Sequence, residues 1–343
     1  MRRIAYKEVF RKIEALWTGV SDDTTTIDAA AINIHFNTWA AKFWESYFWP
    51  EWTIAEPRQF RASWASATTY GAPTSTAAVE VYHVRSGHYY QSLRAGNIGH
   101  EPEDTAGAAN AAWWAQCAGA YSGNDWAASI AYAVGTIVRN PADNRYYQCV
   151  IAHTSSASFD ATKFGILTPF RRSIDYEQSW EATPVGEVKA IWDKDPQIYF
   201  GTACEIGKKL ADAIYVAGDQ SVVWVEFRLR PPTWSGDPWD SATTYGLGDQ
   251  VYDDASGDYY ASLAAGNIDH AVSDAAYWSR IEMPYVLRDC VAQAVLSALL
   301  RVDEEFERAN EELALANQFA AVEYTKISRQ QGQAARLPFK GSS

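Results

Sequence analysis

A chain of 343 residues, 48% hydrophobic and only 21% charged, can bury more than one hydrophobic core and has the composition of a globular protein. No apolar run approaches the roughly 20 residues of a membrane helix, and no signal peptide precedes the first helical pattern, so we expect a soluble protein that is not secreted. The net charge of −13 argues against an outer surface that wraps nucleic acid, which needs clustered Lys and Arg. An acidic passage could still let DNA slide through, because it repels the phosphate backbone.

The first predicted elements are two helices within residues 4–49. One runs from Ile4 to Trp17. The second follows a Thr25-x-x-Asp28 capping signal and carries apolar side chains at helical spacing as far as Pro50, which ends it.

A β-rich block follows, but it is split in the sequence into residues 51–63 and 166–238. Its predicted strands are rich in β-branched and aromatic residues, and Pro231-Pro232 ends the block. The predicted strands are Trp52–Phe60, Ser179-Trp180, Glu187–Trp192, Ala213–Val216 and Val222–Arg228.

Three copies of one short pattern interrupt these segments, at residues 64–117 (module 1), 126–165 (module 2) and 239–280 (module 3). Each begins with Trp-x5-Tyr, continues through a turn to a Tyr-Tyr strand and closes on an aromatic residue. Modules 1 and 3 also share Ala-Gly-Asn-Ile-x-His. The turn residues and the alternating strands predict a small β unit built from hairpins.

This pattern resembles the small chitin-binding carbohydrate-binding modules of types 5 and 12. The resemblance implies that exposed aromatic side chains stack on sugar rings, and it makes six residues candidates for that role: Trp239, Tyr245, Tyr260, Trp278, Trp64 and Tyr90. The alternative is that these residues fill the core of a very small domain, because a unit of this length has little apolar area to bury.

The C-terminal part, residues 284–330, is predicted to be helical. It contains no Gly or Pro from Tyr285 to Gln331, and its apolar stripe includes Val302 and Phe306. At about 1.5 Å per residue, a continuous helix would reach roughly 65–70 Å, so we expect it to span a large structure or to break. The helices of residues 4–49 and of residues 284–330 each carry an apolar stripe that neither segment can bury alone. We therefore expect the two segments to pack together.

The order of these segments resembles phage neck proteins. The residues that carry the resemblance are the helix ending Trp44-Glu45-Ser-Tyr-Phe-Trp49-Pro50-Glu51, the Ile191–Pro196 segment and the long helix ending at Gly332. The resemblance implies a discontinuous helical bundle (1–50 and 284–330) and a small β domain (51–63 and 166–238). The three inserted modules depart from the usual length of that family, and with them we expect an α+β multidomain fold. The resemblance also implies that the tail, residues 331–343, docks to the portal through Arg336, Leu337, Pro338, Phe339 and Lys340.

No catalytic, metal or cofactor motif is found. The chain lacks a phosphate-binding Gly-x-x-x-x-Gly-Lys-Ser/Thr loop, a His-Glu-x-x-His motif, a Gly-x-Ser-x-Gly elbow and the paired acids of a glycosidase. Four widely spaced cysteines read as buried thiols, and His100 and His270 as hydrogen-bonding loop residues. We therefore expect no enzyme activity, no cofactor and no bound metal.

Two functions remain from the sequence. The first is a head-to-tail adaptor in the neck of a phage virion, assembled in the cytoplasm of the host bacterium. Its partners would be the portal protein, tail or neck proteins, further copies of itself in a dodecameric ring, and viral DNA that passes without specific binding. The alternative is a tail or host-surface adhesin whose partners are surface glycans. Neither function involves a membrane.

Overall fold

The computed structural model describes residues 3–18, 29–73, 79–181, 183–199 and 201–334. The described chain combines helices with small sheets, which confirms the predicted mixed α+β class. It divides into two compact units, the first drawn from Met1–Thr53 with Arg230–Ser343, and the second being Ile54–Leu229.

The helices are α1 Tyr6–Thr18, α2 Ala29–Ser46, α3 Arg288–Val302 and α4 Phe306–Ala334. The strands are β1 Arg3–Ala5, β2 Thr53–Gln59, β3 Glu80–His83, β4 His88–Ser92, β5 Trp114–Gln116, β6 Asn124–Asp125, β7 Ala131–Tyr132, β8 Ile137–Asn140, β9 Arg145–Cys149, β10 His153–Thr154, β11 Phe164–Ile166, β12 Ser173–Asp175, β13 Glu187–Trp192, β14 Ile206–Lys209, β15 Ala213–Val216, β16 Val222–Arg228, β17 Gln250–Asp253, β18 Asp258–Ser262, β19 Trp278–Arg280 and β20 Glu282–Pro284. Short 3₁₀ turns occupy Ala161–Lys163 and Tyr285–Leu287.

In the first unit, helices from the two ends of the chain pack together. Both α1 and α2 lie against α3, and α3 lies against α4. The Lys12 Nζ atom is 2.7 Å from Asp289 Oδ1, which ties α1 to α3, and the buried Ser297 hydroxyl donates to the Ala309 carbonyl of α4 at 2.6 Å. The shared core explains why each end carries an apolar stripe that it cannot bury by itself.

The predicted C-terminal helix breaks between α3 and α4 although it contains no Gly or Pro there. Glu304 adopts a left-handed conformation at φ 62°, and α4 folds back along α3. This buries Ala309, Ala316 and Ala320. The prediction that Val302 and Phe306 belong to the buried stripe is wrong, because both lie at the reversal and are more than half exposed.

The N-terminal helix also starts later than predicted. Arg3–Ala5 form β1 and pair with β20, so that Ile4 faces Met283 and both side chains are buried. A backbone pairing partner from the far end of the chain overrides the local helical pattern here. The Thr25-x-x-Asp28 capping signal lies outside the described residues.

The β domain of the second unit consists of two three-stranded sheets, ordered β13-β16-β2 and β12-β15-β14. Its core contains the buried Ile174, Ile191, Ile214, Val225 and Phe227. Strand β2 contains a proline and lies at the edge of its sheet, which is where sheets tolerate a residue without an N–H group.

Ser179-Trp180, predicted to be a strand, forms a turn, and Trp180 is 39% exposed. An aromatic residue favours the prediction of a strand, but this segment pairs with no other strand within the described residues.

Each module contains a small antiparallel sheet. The orders are β3-β4-β5 in module 1, β8-β9-β11 in module 2 with β6 added in parallel to β8, and β17-β18-β19 in module 3. Modules 1 and 2 belong to the second unit, whereas module 3 belongs to the first, with the helices.

Candidate functional site

The Trp-x5-Tyr frame of the modules closes a loop. The hydroxyl groups of Tyr70, Tyr132 and Tyr245 each accept the N–H group of the residue five positions earlier, at 2.8 to 2.9 Å. They also donate to the carbonyl of that same residue at 3.2 to 3.3 Å. The constant spacing is therefore required by a local hydrogen-bonded ring, whether or not the module binds a ligand.

The closing aromatic residue of each module packs against the same tyrosine. Tyr70 meets Trp114 and Tyr245 meets Trp278 with ring centroids 5.2 Å apart in an edge-to-face arrangement. The two indole N–H groups donate to the carbonyls of His100 and His270 at 2.7 and 2.8 Å. These aromatic residues hold the module together.

This geometry places three of the six predicted sugar-binding residues in structural roles. Trp278 is 3% and Tyr90 is 1% exposed, so neither offers a ring face to a ligand, and the hydroxyl and ring of Tyr245 are both engaged within the module. The side chains of Trp278 and Tyr90 are buried because a three-stranded sheet of this size has few other residues that could fill its core. Trp64, Trp239 and Tyr260 are half-buried.

The first tyrosine of the Tyr-Tyr pair attaches the module to its host domain. In module 1, the Tyr89 hydroxyl accepts the Phe60 N–H group at 3.0 Å and donates to the Ser221 carbonyl, while its ring stacks on Phe170. Burial raises the pKa of Tyr89 well above its ordinary value.

The equivalent residue of module 3, Tyr259, packs edge-to-face against Tyr6 of α1 at 5.0 Å. Its hydroxyl accepts from Asn33 of α2 at 3.1 Å. The same tyrosine position thus attaches module 1 to the β domain and module 3 to the helices α1 and α2.

Modules 1 and 2 cover each other through equivalent residues. The amide of Gln91 donates to the carbonyl of Ile166, the last residue of the module 2 sheet strand β11, at 3.0 Å, and the amide of Gln148 donates to the Trp114 carbonyl of module 1 at 3.0 Å. Leu93 and Val150 occupy equivalent positions after these strands and are buried in the same small core. Module 3 carries Ala261 where module 1 has Gln91.

A stacked pair of an imidazole and an aromatic ring lies at the same place in modules 1 and 3. His100 stacks on Trp113 with centroids 4.0 Å apart and planes 14° apart, and His270 stacks on Tyr277 at 3.4 Å and 9°. All four side chains are half-buried. The sequence signal for this pair is the aromatic residue directly before the closing Trp, together with the histidine of the shared Gly-Asn-Ile-x-His segment.

Within the described ranges, no group of three or more His, Cys, Asp or Glu side chains is arranged to hold a metal ion. All four cysteines lie in this part of the chain and are free thiols, and burial raises the pKa of Cys290 to about 12. No described helix is both long and apolar enough to cross a membrane. The predicted docking residues Arg336 to Lys340 lie outside the described residues.

Comparison of the chain with protein families, with curated proteins and with solved structures gives no match.

Proposed function

We propose that this chain is a non-enzymatic structural protein of a tailed-phage virion, namely a head-to-tail adaptor that forms a ring below the portal. The observation that supports this proposal is the helical core built from both ends of the chain, with the modules inserted between its parts. Module 3 lies between β16 and β20, and modules 1 and 2 lie between β2 and β12. Binding proteins more often carry modules end to end, whereas insertion into a continuous host suits a scaffold with added domains.

The partners of the adaptor are the portal protein, adjoining neck or tail proteins and further copies of the chain, in a ring that the resemblance makes dodecameric. Viral DNA passes through without specific binding, consistent with the net charge of −13. The protein acts in the virion and assembles in the bacterial cytoplasm.

The docking segment is the tail, where Leu337 and Phe339 stand beside Arg336 and Lys340 in an otherwise acidic protein. Burying each apolar side chain in a partner groove contributes on the order of 1.5–3 kcal/mol before ordering costs. A ring multiplies this contribution through avidity.

The test is co-expression with the portal protein of the same phage, followed by purification through the portal and electron microscopy. The full chain should copurify as a ring, and a chain truncated after Gln330 should be lost. A matched control that lacks only residues 341–343 retains the docking residues and should copurify. A full chain that does not join the portal, or a truncated chain that does, would contradict the adaptor role.

The second candidate is a carbohydrate-binding adhesin of a phage tail or host surface. The observation that favours it is the half-buried pair of stacked rings that recurs in modules 1 and 3.

A further inference from the structure

A cavity lies where module 3 meets helices α1 and α2. Its volume is about 470 Å³, and all of its walls belong to the first unit. Four aromatic side chains line it, namely Tyr6 and Phe10 of α1 and Tyr252 and Tyr259 of module 3. Ligand pockets in proteins have this size, roughly 300–1,000 Å³, and this preference for aromatic walls. The cavity is therefore large enough for a small ligand or for one side chain of a partner.

The four rings of the cavity lie in different planes. Tyr6 and Tyr259 are edge-to-face, with centroids 5.0 Å and planes 88° apart, and Tyr252 is tilted by 51° from Tyr259 at 5.0 Å. Phe10 is tilted by 39° from Tyr6 at 5.8 Å. Rings arranged in this way enclose a volume instead of forming one flat surface. Since the face of an aromatic ring carries partial negative charge, such walls attract a cation.

The hydroxyl groups of the cavity have unused hydrogen-bonding capacity. Tyr6 is only 5% exposed, yet its hydroxyl forms no hydrogen bond with any residue that the structure describes. The hydroxyl of the half-buried Tyr252 likewise has no partner among the described residues. Tyr259 accepts from Asn33 and keeps its own proton to donate. A hydroxyl on so buried a side chain as Tyr6 gains free energy from a partner inside the cavity.

Carboxylates give the cavity a negative potential. Glu14 of α1 and Asp254 of the β17–β18 turn are exposed side chains on its wall, and neither forms an ion pair within the described part of the chain. Burial raises the pKa of Tyr6, and the neighbouring phenols and Glu14 raise it further. Burial also raises the pKa of Tyr252, with a further rise from the carboxylates of the hairpin, Asp254 first. A ligand that carries positive charge fits these surroundings.

Two basic residues also line the cavity, but they act elsewhere. The Lys7 ammonium group donates to the Ser256 carbonyl at 2.5 Å, and the Arg11 side chain is exposed to solvent. The ionised groups that shift the pKa of Tyr6 and Tyr252 are carboxylates. The acidic residues therefore set the potential at the phenol groups.

Module 1 has a different chemistry at the equivalent positions. Its Tyr82 corresponds to Tyr252 and is buried, and its Val84 corresponds to Asp254. The carboxylate beside the rings is thus a feature of module 3 that the module does not need in order to fold.

We propose that this cavity binds a guanidinium group among the rings of Tyr6, Tyr252 and Tyr259, with Glu14 and Asp254 as its counter-charges. A guanidinium is planar and weakly hydrated, it stacks on aromatic faces, and its N–H groups donate to hydroxyl and carboxylate oxygens in its plane. The unused acceptors of the cavity match those donors. The group can come from an arginine side chain of a polypeptide or from a small free guanidine, and the site does not depend on the adaptor role.

The experiment is an NMR titration of the full chain with N-acetyl-arginine amide, observed through saturation transfer to the ligand. The matched probe is N-acetyl-citrulline amide, which has the same shape and no charge. The arginine compound should bind at least about tenfold more tightly than the citrulline compound, because only a cation gains from the rings and the carboxylates. Raising the ionic strength should weaken its binding.

Three variants test the site without removing a core side chain. Glu14→Gln and Asp254→Asn change exposed residues, and each should lower the affinity for the arginine compound about fivefold. Glu8→Gln is the matched control, because Glu8 is an exposed acid of α1 outside the cavity wall, and it should leave the affinity unchanged. Thermal unfolding of each variant checks that the chain stays folded.

Each result bears on the proposal. If the arginine compound does not bind, or if the citrulline compound binds equally well, the guanidinium site is wrong. If Glu8→Gln weakens binding as much as Glu14→Gln, the attraction is only that of an acidic surface and the cavity is not the site. A Gly-Gly-Arg-Gly-Gly peptide separates the two sources. Tighter binding of the peptide than of the single amide supports an arginine of a polypeptide, and equal affinity supports a free guanidine.

Discussion

Modules 1 and 3 have the same internal construction and different outer surfaces. Inside, the tyrosine that closes the loop, the Asn that pairs with its backbone and the closing Trp make the same contacts in both. Outside, module 1 is covered by module 2 and by its own Arg94, while in module 3 Leu263 is 47% exposed and Ala264 stands in place of the arginine. The residues that modules 1 and 3 share are therefore those that the module needs in order to fold. The residues that differ between the two modules lie on their outer surfaces, where each module can acquire a separate role.

The largest expected effect tests the attachment of the modules to their hosts. Tyr89→Ala should destabilise the second unit by about 3–5 kcal/mol, because it removes a buried ring and leaves the Phe60 N–H group without its acceptor. Tyr259→Ala should destabilise the first unit by a similar amount, since its ring packs on Tyr6. Denaturant unfolding of the full chain, with hydrogen exchange to locate the change, measures both.

Conservative changes refine this test. Tyr89→Phe should cost about 1–3 kcal/mol, whereas Tyr259→Phe should cost less because the Asn33 amide also donates to the Trp234 carbonyl. Equal costs would show that the two attachments are energetically the same.

The next effect compares the two leucines. Leu93→Ala should destabilise the junction of modules 1 and 2 by about 2–5 kcal/mol, since the side chain is buried there. Leu263→Ala should change stability by less than about 0.5 kcal/mol, as for other exposed positions. A large cost at Leu263 would mean that this side chain is covered in solution.

A smaller effect tests the glutamine. Gln91→Ala, which gives module 1 the residue of module 3, should cost about 1–3 kcal/mol by leaving the Ile166 carbonyl and the Thr168 N–H group without their partner. Faster hydrogen exchange at Phe164–Ile166 and Thr168 is the expected signature. Unchanged hydrogen exchange at these residues would show that Gln91 does not hold modules 1 and 2 together.

The smallest effect concerns the second tyrosine of each pair. Tyr260→Phe should be nearly neutral, because its hydroxyl makes only a 3.4 Å contact with Ser256. Tyr90→Phe should cost about 1–2 kcal/mol, since the buried hydroxyl donates to Glu103. Thermal unfolding of the two variants should separate them, and a reversed order would contradict the assigned burial.

The sequence by itself determined the local features of this protein. Apolar spacing located two N-terminal helices and one C-terminal helical stretch, turn residues located the hairpins, and the repeat identified three modules, because these patterns depend on neighbours within one turn or one strand pair. The sequence also lacks the phosphate-binding loop, the His-Glu-x-x-His motif and the Gly-x-Ser-x-Gly elbow.

Only the tertiary structure decided which aromatic residues of the repeat are buried. Trp278 and Tyr277 are adjacent in the sequence and both are aromatic, yet Trp278 is buried and Tyr277 is only half-buried and stacks on His270. Likewise, Leu93 and Leu263 occupy the same place in their repeats, and only packing by module 2 buries the first. The burial of a side chain depends on its packing against residues that are distant along the chain. The type and spacing of residues within a repeat do not show where those distant residues lie.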